Sequence, residues 1–189
     1  MASNCYLYTV KELKQCIKQD YEIINGRITL KGFLKSMLLE PGFKYIFWLR
    51  LTNYLWLKRG LWRILFILSR CILKHYSYKF SFDISYRARL GPGLNIAHHG
   101  YIVVPSNTSL GENCALRPGV VFGKKLSEPR GGASVGNNVS IGVGSKIIGD
   151  IRIGNNVIVG ANAVVTRDIP NNCIVAGIPA KIIRYIEEI

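Results

Sequence analysis

The chain lacks a long uncharged apolar run, a paired-cysteine motif and a balance of acids against bases. Its most apolar stretch, FKYIFWLRLTNYLWLKRGLWRILFILSRCILKHY, is interrupted by Lys44, Arg50, Lys58, Arg59, Arg63 and Arg70, and no charge-free run in it exceeds seven residues. Spanning a bilayer takes about 20 apolar residues, which excludes a transmembrane helix there. The five cysteines (Cys5, Cys16, Cys71, Cys114, Cys173) are odd in number and scattered, with no CxxC pair. That argues against a disulfide framework or a metal site of zinc type, and for a reducing, cytoplasmic setting. The opening MASNCYLYTVKELK has no basic segment followed by an apolar one, so no secretion signal is expected.

What is present is 189 residues, nearly half of them apolar, enough for one domain with a smaller appendage. The net charge of +14 is unevenly placed: residues 1–82 carry 14 Lys/Arg against 4 Asp/Glu, residues 83–189 only 11 against 7. A basic front half fits either an anionic partner or an ordinary solvated surface. Nucleic acid would rest on charge alone, with no recognised motif, and is not expected. The front half reads as helices. Thr9-Val10-Lys11-Glu12 fits a capping box, and Asn25-Gly26 and Pro41-Gly42 mark turns. The apolar stretch divides into two amphipathic helices broken near Arg59-Gly60. Packing against the rest of the protein is their first use, and peripheral contact with the inner face of a membrane the second.

From residue 83 the period becomes six. Starting at Val135 the chain divides as VGNNVS, IGVGSK, IIGDIR, IGNNVI, VGANAV and VTRDIP, each opened by an aliphatic residue. The same phase runs through ISYRAR, LGPGLN, IAHHGY and IVVPSN, and after a two-residue slip through LGENCA, LRPGVV and FGKKLS. A left-handed parallel β-helix imposes this period: each hexapeptide is a short strand plus a turn, three make a coil, and the aliphatic side chain points inward. Such coils expose flat faces, and a closed three-fold assembly, or a dimer of such trimers, is the expected oligomer. The stretch 124–133 breaks the phase between Phe122 and Val135 by one hexapeptide plus seven residues, so a loop protrudes there. The organisation predicted is mainly β: a helical region 1–80, a left-handed β-helix of hexapeptide repeats over 81–184 with the loop 124–133, and a short tail 185–189.

Two stretches resemble the hexapeptide-repeat acyltransferases, within them the serine acetyltransferase-like branch, and in character the O-acetyltransferases of polysaccharide loci. They are DISYRARLGPGLNIAHHGYIVV (83–104) and VVTRDIPNNCIVAGIPAKII (164–183). The resemblance implies an O-acetyltransferase using acetyl-CoA as co-substrate, with His98 as catalytic base and Asp83, fifteen residues earlier, as its orienting carboxylate. A neutral imidazole suits removal of a hydroxyl proton, and a carboxylate on its other nitrogen fixes the tautomer. Fifteen residues is three short of an 18-residue coil, which places the two near one corner on adjacent turns. His99 then points the other way and is read as a rim residue beside the substrate; His75 belongs to no motif. By the same resemblance Gly142, Ala161, Thr166, Arg167 and Lys181 match positions that contact acetyl-CoA, small residues along the pantetheine arm and cations on phosphate.

Departures from the serine pattern bear on the acceptor. Serine acetyltransferases usually have an Asp before the catalytic His, where this chain has Ala97, and an Arg-His pair in the loop, where Arg130 is followed by Gly131. The first reading is therefore a sugar or glycan hydroxyl, as in capsule, exopolysaccharide or O-antigen assembly. The alternatives are serine O-acetyl transfer and a non-catalytic trimeric scaffold. Ile189 matches the Ile that often ends serine acetyltransferases, which we read as fortuitous in an Ile-rich chain. A γ-type carbonic anhydrase would need three suitably spaced His ligands, and two of the three here are adjacent.

Overall fold

A computed structural model describes residues 9–125 and 131–186. Four helices come first: α1 (Val10–Asn25), α2 (Leu30–Leu39), α3 (Pro41–Trp56) and α4 (Trp62–Phe80). The capping box at the head of α1 is formed, with Glu12 N–H donating to Thr9 Oγ1 at 3.2 Å and Thr9 N–H donating to the Glu12 carboxylate at 2.8 Å. The apolar stretch divides where expected, with Gly60 at φ 67° between α3 and α4. Pro41-Gly42 is not a free-standing turn, however. Pro41 opens α3, where its missing N–H costs nothing, and Gly42 is packed so tightly that a Cβ would sit 1.8 Å from the Ile96 carbonyl oxygen.

The rest is a three-sided parallel β-helix. Its first face stacks β1 (Phe82–Ile84), β4 (Ile102–Val104), β7 (Val121–Gly123), β10 (Lys146–Ile148) and β13 (Val164–Val165). The second face stacks β2 (Arg89–Leu90), β5 (Ser109–Leu110), β8 (Ser134–Val135) and β11 (Arg152–Ile153). The third stacks β3 (Asn95–Ile96), β6 (Ala115–Leu116), β9 (Ser140–Ile141), β12 (Val157–Val159) and β14 (Cys173–Ala176), and β15 (Lys181–Tyr185) returns antiparallel against β14. Val135, Ile141, Ile147, Ile153, Val159 and Val165, the openers of the six regular repeats, are all buried along the axis.

The strand register corrects one detail of the repeat phase. Phe82 pairs with Ile102 and Asn95 with Ala115, steps of 20 residues, whereas Val103 pairs with Val121, a step of 18. The two extra residues therefore lie between Ile96 and Val103, in the AHHGYI segment, and not after Asn107. The pattern concealed this because Ile102 and Val104 are both buried, so either could open a repeat. Val121 pairs with Lys146, a step of 25, which places the seven-residue excess between β7 and β8.

The helices close the open end of the first coil by satisfying its edge. Asp20 and Arg50 form a buried ion pair, with Arg50 Nε donating to Asp20 Oδ2 at 2.8 Å and Nη2 donating to Oδ1 at 3.0 Å. Arg50 also donates to the carbonyls of Leu90 and Gly91, and Leu94 N–H donates to Asp20 Oδ1 at 2.8 Å. Asn53 donates to Tyr86 C=O at 2.7 Å, Ser77 to Phe82 C=O at 2.6 Å and Tyr45 to Ile84 C=O at 3.3 Å. Burial pushes the Tyr45 phenol up to about 12, so it remains a donor. An unpaired sheet edge is an invitation to aggregate; this one is stitched to three helices.

Candidate active site

The β-helix has three edges, and the residues singled out from the sequence sort between them. The edge from the second face to the third carries paired asparagines. Asn113, Asn138, Asn156 and Asn172 all lie near φ 55°, and their amides form a ladder: Asn113 Nδ2 donates to Asn138 Oδ1 at 3.2 Å, Asn138 to Asn156 at 3.1 Å and Asn156 to Asn172 at 2.8 Å. This edge is structural.

The edge from the third face to the first carries His98. The residues that leave β3, β6, β9, β12 and β14 stack along it: Ala97-His98 nearest the helices, then Arg117, Gly142, Gly160-Ala161 and Ala176. Gly142 N–H donates to Val159 C=O at 2.8 Å, and a Cβ on Gly142 would lie 2.8 Å from Ala161 N. Beyond Arg117 the floor at Gly142, Gly160 and Ala161 is backbone with little side chain on it. Lys181 opens β15 in register with Ala176 and so returns to the same edge. His98 and Ala161 are three layers apart, about 14 Å at the usual strand spacing.

The two-residue excess in AHHGYI lifts His98 out of the coil. The segment is tied down behind it, where Gly100 N–H donates to Phe80 C=O at 3.3 Å and Ile102 N–H to Ser81 C=O at 3.2 Å. Asp83 lies two residues past Ser81, exposed, at the head of the outward column Asp83, Val103, Val121, Lys146, Val164 on the first face. His98 and His99 are both exposed. Among the described residues no hydrogen bond or ion pair joins Asp83 to His98; the fold brings their backbone segments together at one corner on adjacent layers. The coil between them is 20 residues long, so the 18-residue arithmetic behind that pairing is replaced by the register itself.

Thr166 and Arg167 follow β13 and stand across the first face, on its edge with the second. The root of the loop is on that edge too: Asn107 Nδ2 donates to Gly131 C=O, next to Asp150. Arg130 and Ile189 lie outside the described residues. One edge thus collects His98, Gly142, Ala161 and Lys181, and the opposite edge of the same face collects Thr166, Arg167 and the loop root.

Lys146, which the sequence reading left out, stands on the outward column of the first face below Asp83. Lys146 Nζ donates to the carbonyls of Gly119 at 2.8 Å and Gly144 at 2.7 Å and lies 5.7 Å from the Tyr101 ring. The repeat phase carries a signal for Lys146, since it fills the outward last position of IGVGSK. Beside Ala97 a cleft of about 440 Å³ opens between the α2–α3 junction and β3, lined by Glu40, Asn95 and apolar residues of α1 and α3. Among the described residues, the buried Asn95 Oδ1 there has no hydrogen-bond partner.

The model of the bacterial transferase hexapeptide family (six repeats) matches residues 132–167. A serine acetyltransferase of Synechococcus elongatus is 36% identical over 168 residues, covering 87% of this chain and 66% of its own length. An Escherichia coli protein named for acetyl transfer in colanic acid biosynthesis, WcaB, is 36% identical over 104 residues, covering 54% of this chain and 64% of itself. The crystal structure of Neisseria gonorrhoeae serine acetyltransferase superposes with a TM-score of 0.78 at 29% identity, covering 95% of this chain and 68% of that one. The chain thus spans about two thirds of the length of the curated relatives it matches. Repeat, register and chain fold agree, and the chain carries the hexapeptide-repeat left-handed β-helix that it shares with these acetyltransferases.

Proposed function

We propose that the protein transfers an acetyl group from acetyl-CoA to a hydroxyl. The observation that carries this is the edge on which His98 stands above a floor of Gly142, Gly160 and Ala161 with Lys181 at its foot. A thioester arm lying along that floor reaches the imidazole, and cations at the far end meet its phosphates. A serine acetyltransferase of the same fold has been solved in complex with CoA, which supports the donor. His98 accepts the hydroxyl proton as the oxygen attacks the thioester carbonyl. The C–S bond then breaks, and the proton passes to the departing thiolate. Asp83 serves as the orienting carboxylate once substrate closes the corner. Thr166, Arg167 and the loop root lie on the opposite edge. A three-fold assembly that set one copy's loop edge beside its neighbour's His98 edge would complete each site, with His99, and Arg130 by its place in the sequence, as the residues we assign to the acceptor.

For the acceptor, the relatives favour serine: the names of those that cover most of the chain are serine acetyltransferases. The glycan reading is second and rests on Ala97, on Gly131 and on the likeness to WcaB. Steady-state release of CoA from acetyl-CoA, with L-serine and with sugar acceptors, separates them. Fast turnover with serine settles the acceptor as serine. Turnover with sugars alone settles it as glycan. Absence of acetyl-CoA binding would overturn the donor assignment and leave the scaffold alternative.

A further inference from the structure

The helical region carries a surface that acetyl transfer does not use. Between Glu40 and Asp83 the chain has eight Lys/Arg and not one Asp or Glu. Arg50 is taken up by Asp20 in the buried pair; the other seven stand along α3, α4 and their connection. Leu61, Ile64, Leu65 and Leu68 follow the 0, 3, 4, 7 spacing of one helical stripe and are all exposed, Leu61 to 84%, with Trp62 and Ile67 beside them. At the same end, a cleft of about 500 Å³ opens between the close of α3, the start of α4 and the first coil. Lys58, Arg59, Arg63, Arg70 and Arg87 line it, and among the described residues no carboxylate does. Aromatic rings set the guanidinium groups in place: Arg87 lies 5.4 Å from the Trp56 ring and Arg70 5.9 Å from that of Tyr86.

We infer that this end of the molecule docks on a bilayer surface bearing anionic phospholipids, with the stripe on α4 entering the interface and the cationic cleft receiving headgroup phosphate. An exposed apolar stripe flanked by cations is the composition of an interfacial helix. No described helix is long and apolar enough to cross a membrane, so the contact is with the surface. A second copy is the poorer occupant. Pairing the same face two-fold would set this cationic cluster against itself, and among the described residues the cleft holds no carboxylate to offset the repulsion.

The test uses the full chain and vesicles of phosphatidylcholine with or without phosphatidylglycerol, in co-sedimentation. The protein should bind the phosphatidylglycerol vesicles about tenfold more tightly or better, and lose most of that binding in high salt. The pair Arg59→Glu and Arg63→Glu, and separately the pair Ile64→Ser and Leu68→Ser, should each weaken it at least about tenfold. Equal binding to both vesicle types, or undiminished binding by the charge-reversed variant, would overturn the inference. So would a fall in oligomer mass, in either variant without lipid, measured by light scattering; that result assigns the face to a second copy. Neither acetyl-CoA nor acceptor enters the assay, so its failure and a failure of the transferase assignment are read independently.

Discussion

His98 is exposed at a corner widened by two residues, and that widening is what frees an imidazole from a repeat that would otherwise hold it against the coil. General-base catalysis contributes about 10² to 10⁴ in rate. His98→Ala should therefore lower kcat by about that factor while acetyl-CoA binding and oligomer mass stay as in the wild type; a variant of normal kcat removes His98 from the mechanism. Asp83→Asn should lower kcat less and leave the KM for acetyl-CoA unchanged, because in the proposed mechanism it orients the base and does not touch the donor. An equal rise in KM would instead place Asp83 in substrate binding. Ala161→Leu should do the reverse, raising the KM for acetyl-CoA severalfold by standing a side chain on the bare floor of the edge, as competition with CoA would show. Motif and phase pointed to His98 as a candidate, and the family resemblance to Ala161. The sequence could not identify Lys146, which reaches the Tyr101 ring from 45 residues further along the chain.

At the scale of elements, the coil is held by two devices, and each has its own signature. The asparagine ladder needs φ near +55° at every rung, a conformation that most side chains resist and Asn tolerates. Asn156→Ala should cost about 2 kcal/mol, combining backbone strain with the lost amide bonds, and Asn156→Gly about half that, because glycine removes only the bonds. Denaturant midpoints that rank the two the other way would refute the ladder as the cause. The second device is the Asp20–Arg50 pair, which joins α1 and α3 to the edge of the first coil. Breaking a buried pair from one side costs about 3–5 kcal/mol, since the remaining charge is stranded. Arg50→Met should therefore loosen the helices from the coil, seen as amide exchange rising first at Leu90 to Leu94. The repeated NN pairs were legible as turn residues in VGNNVS and IGNNVI. The ion pair was not, since Asp20 and Arg50 are single residues of opposite sign among many and nothing local marks them as partners.

For the whole molecule, the separation of His98 from Thr166, Arg167 and the loop root, across one face, bears on the oligomeric state. If neighbouring copies complete each other's sites, light scattering should give three or six times the 21.2 kDa of one chain, and dilution to monomer should abolish transfer. A monomer of full activity would contradict the shared site. Mixing a His98→Ala chain with one altered at Arg167 should restore part of the activity, which no single-chain site can do.

The sequence alone determined the coil, because burying one aliphatic residue every sixth position along a narrow axis is a local, repeating demand that single substitutions cannot hide. It determined the start of α1 and the break near Gly60 for the same reason: that cap and that backbone freedom are written in neighbouring residues. The placement of the two-residue excess was decided only in three dimensions, since Ile102 and Val104 satisfy the inward pattern equally and the hydrogen-bonded register alone distinguishes them. The sealing of the first coil by Asp20, Arg50, Asn53 and Tyr45, and the sorting of the candidate residues onto two edges of one face, were decided there too. These depend on which distant backbone groups are left without partners, and that is a property of the folded chain.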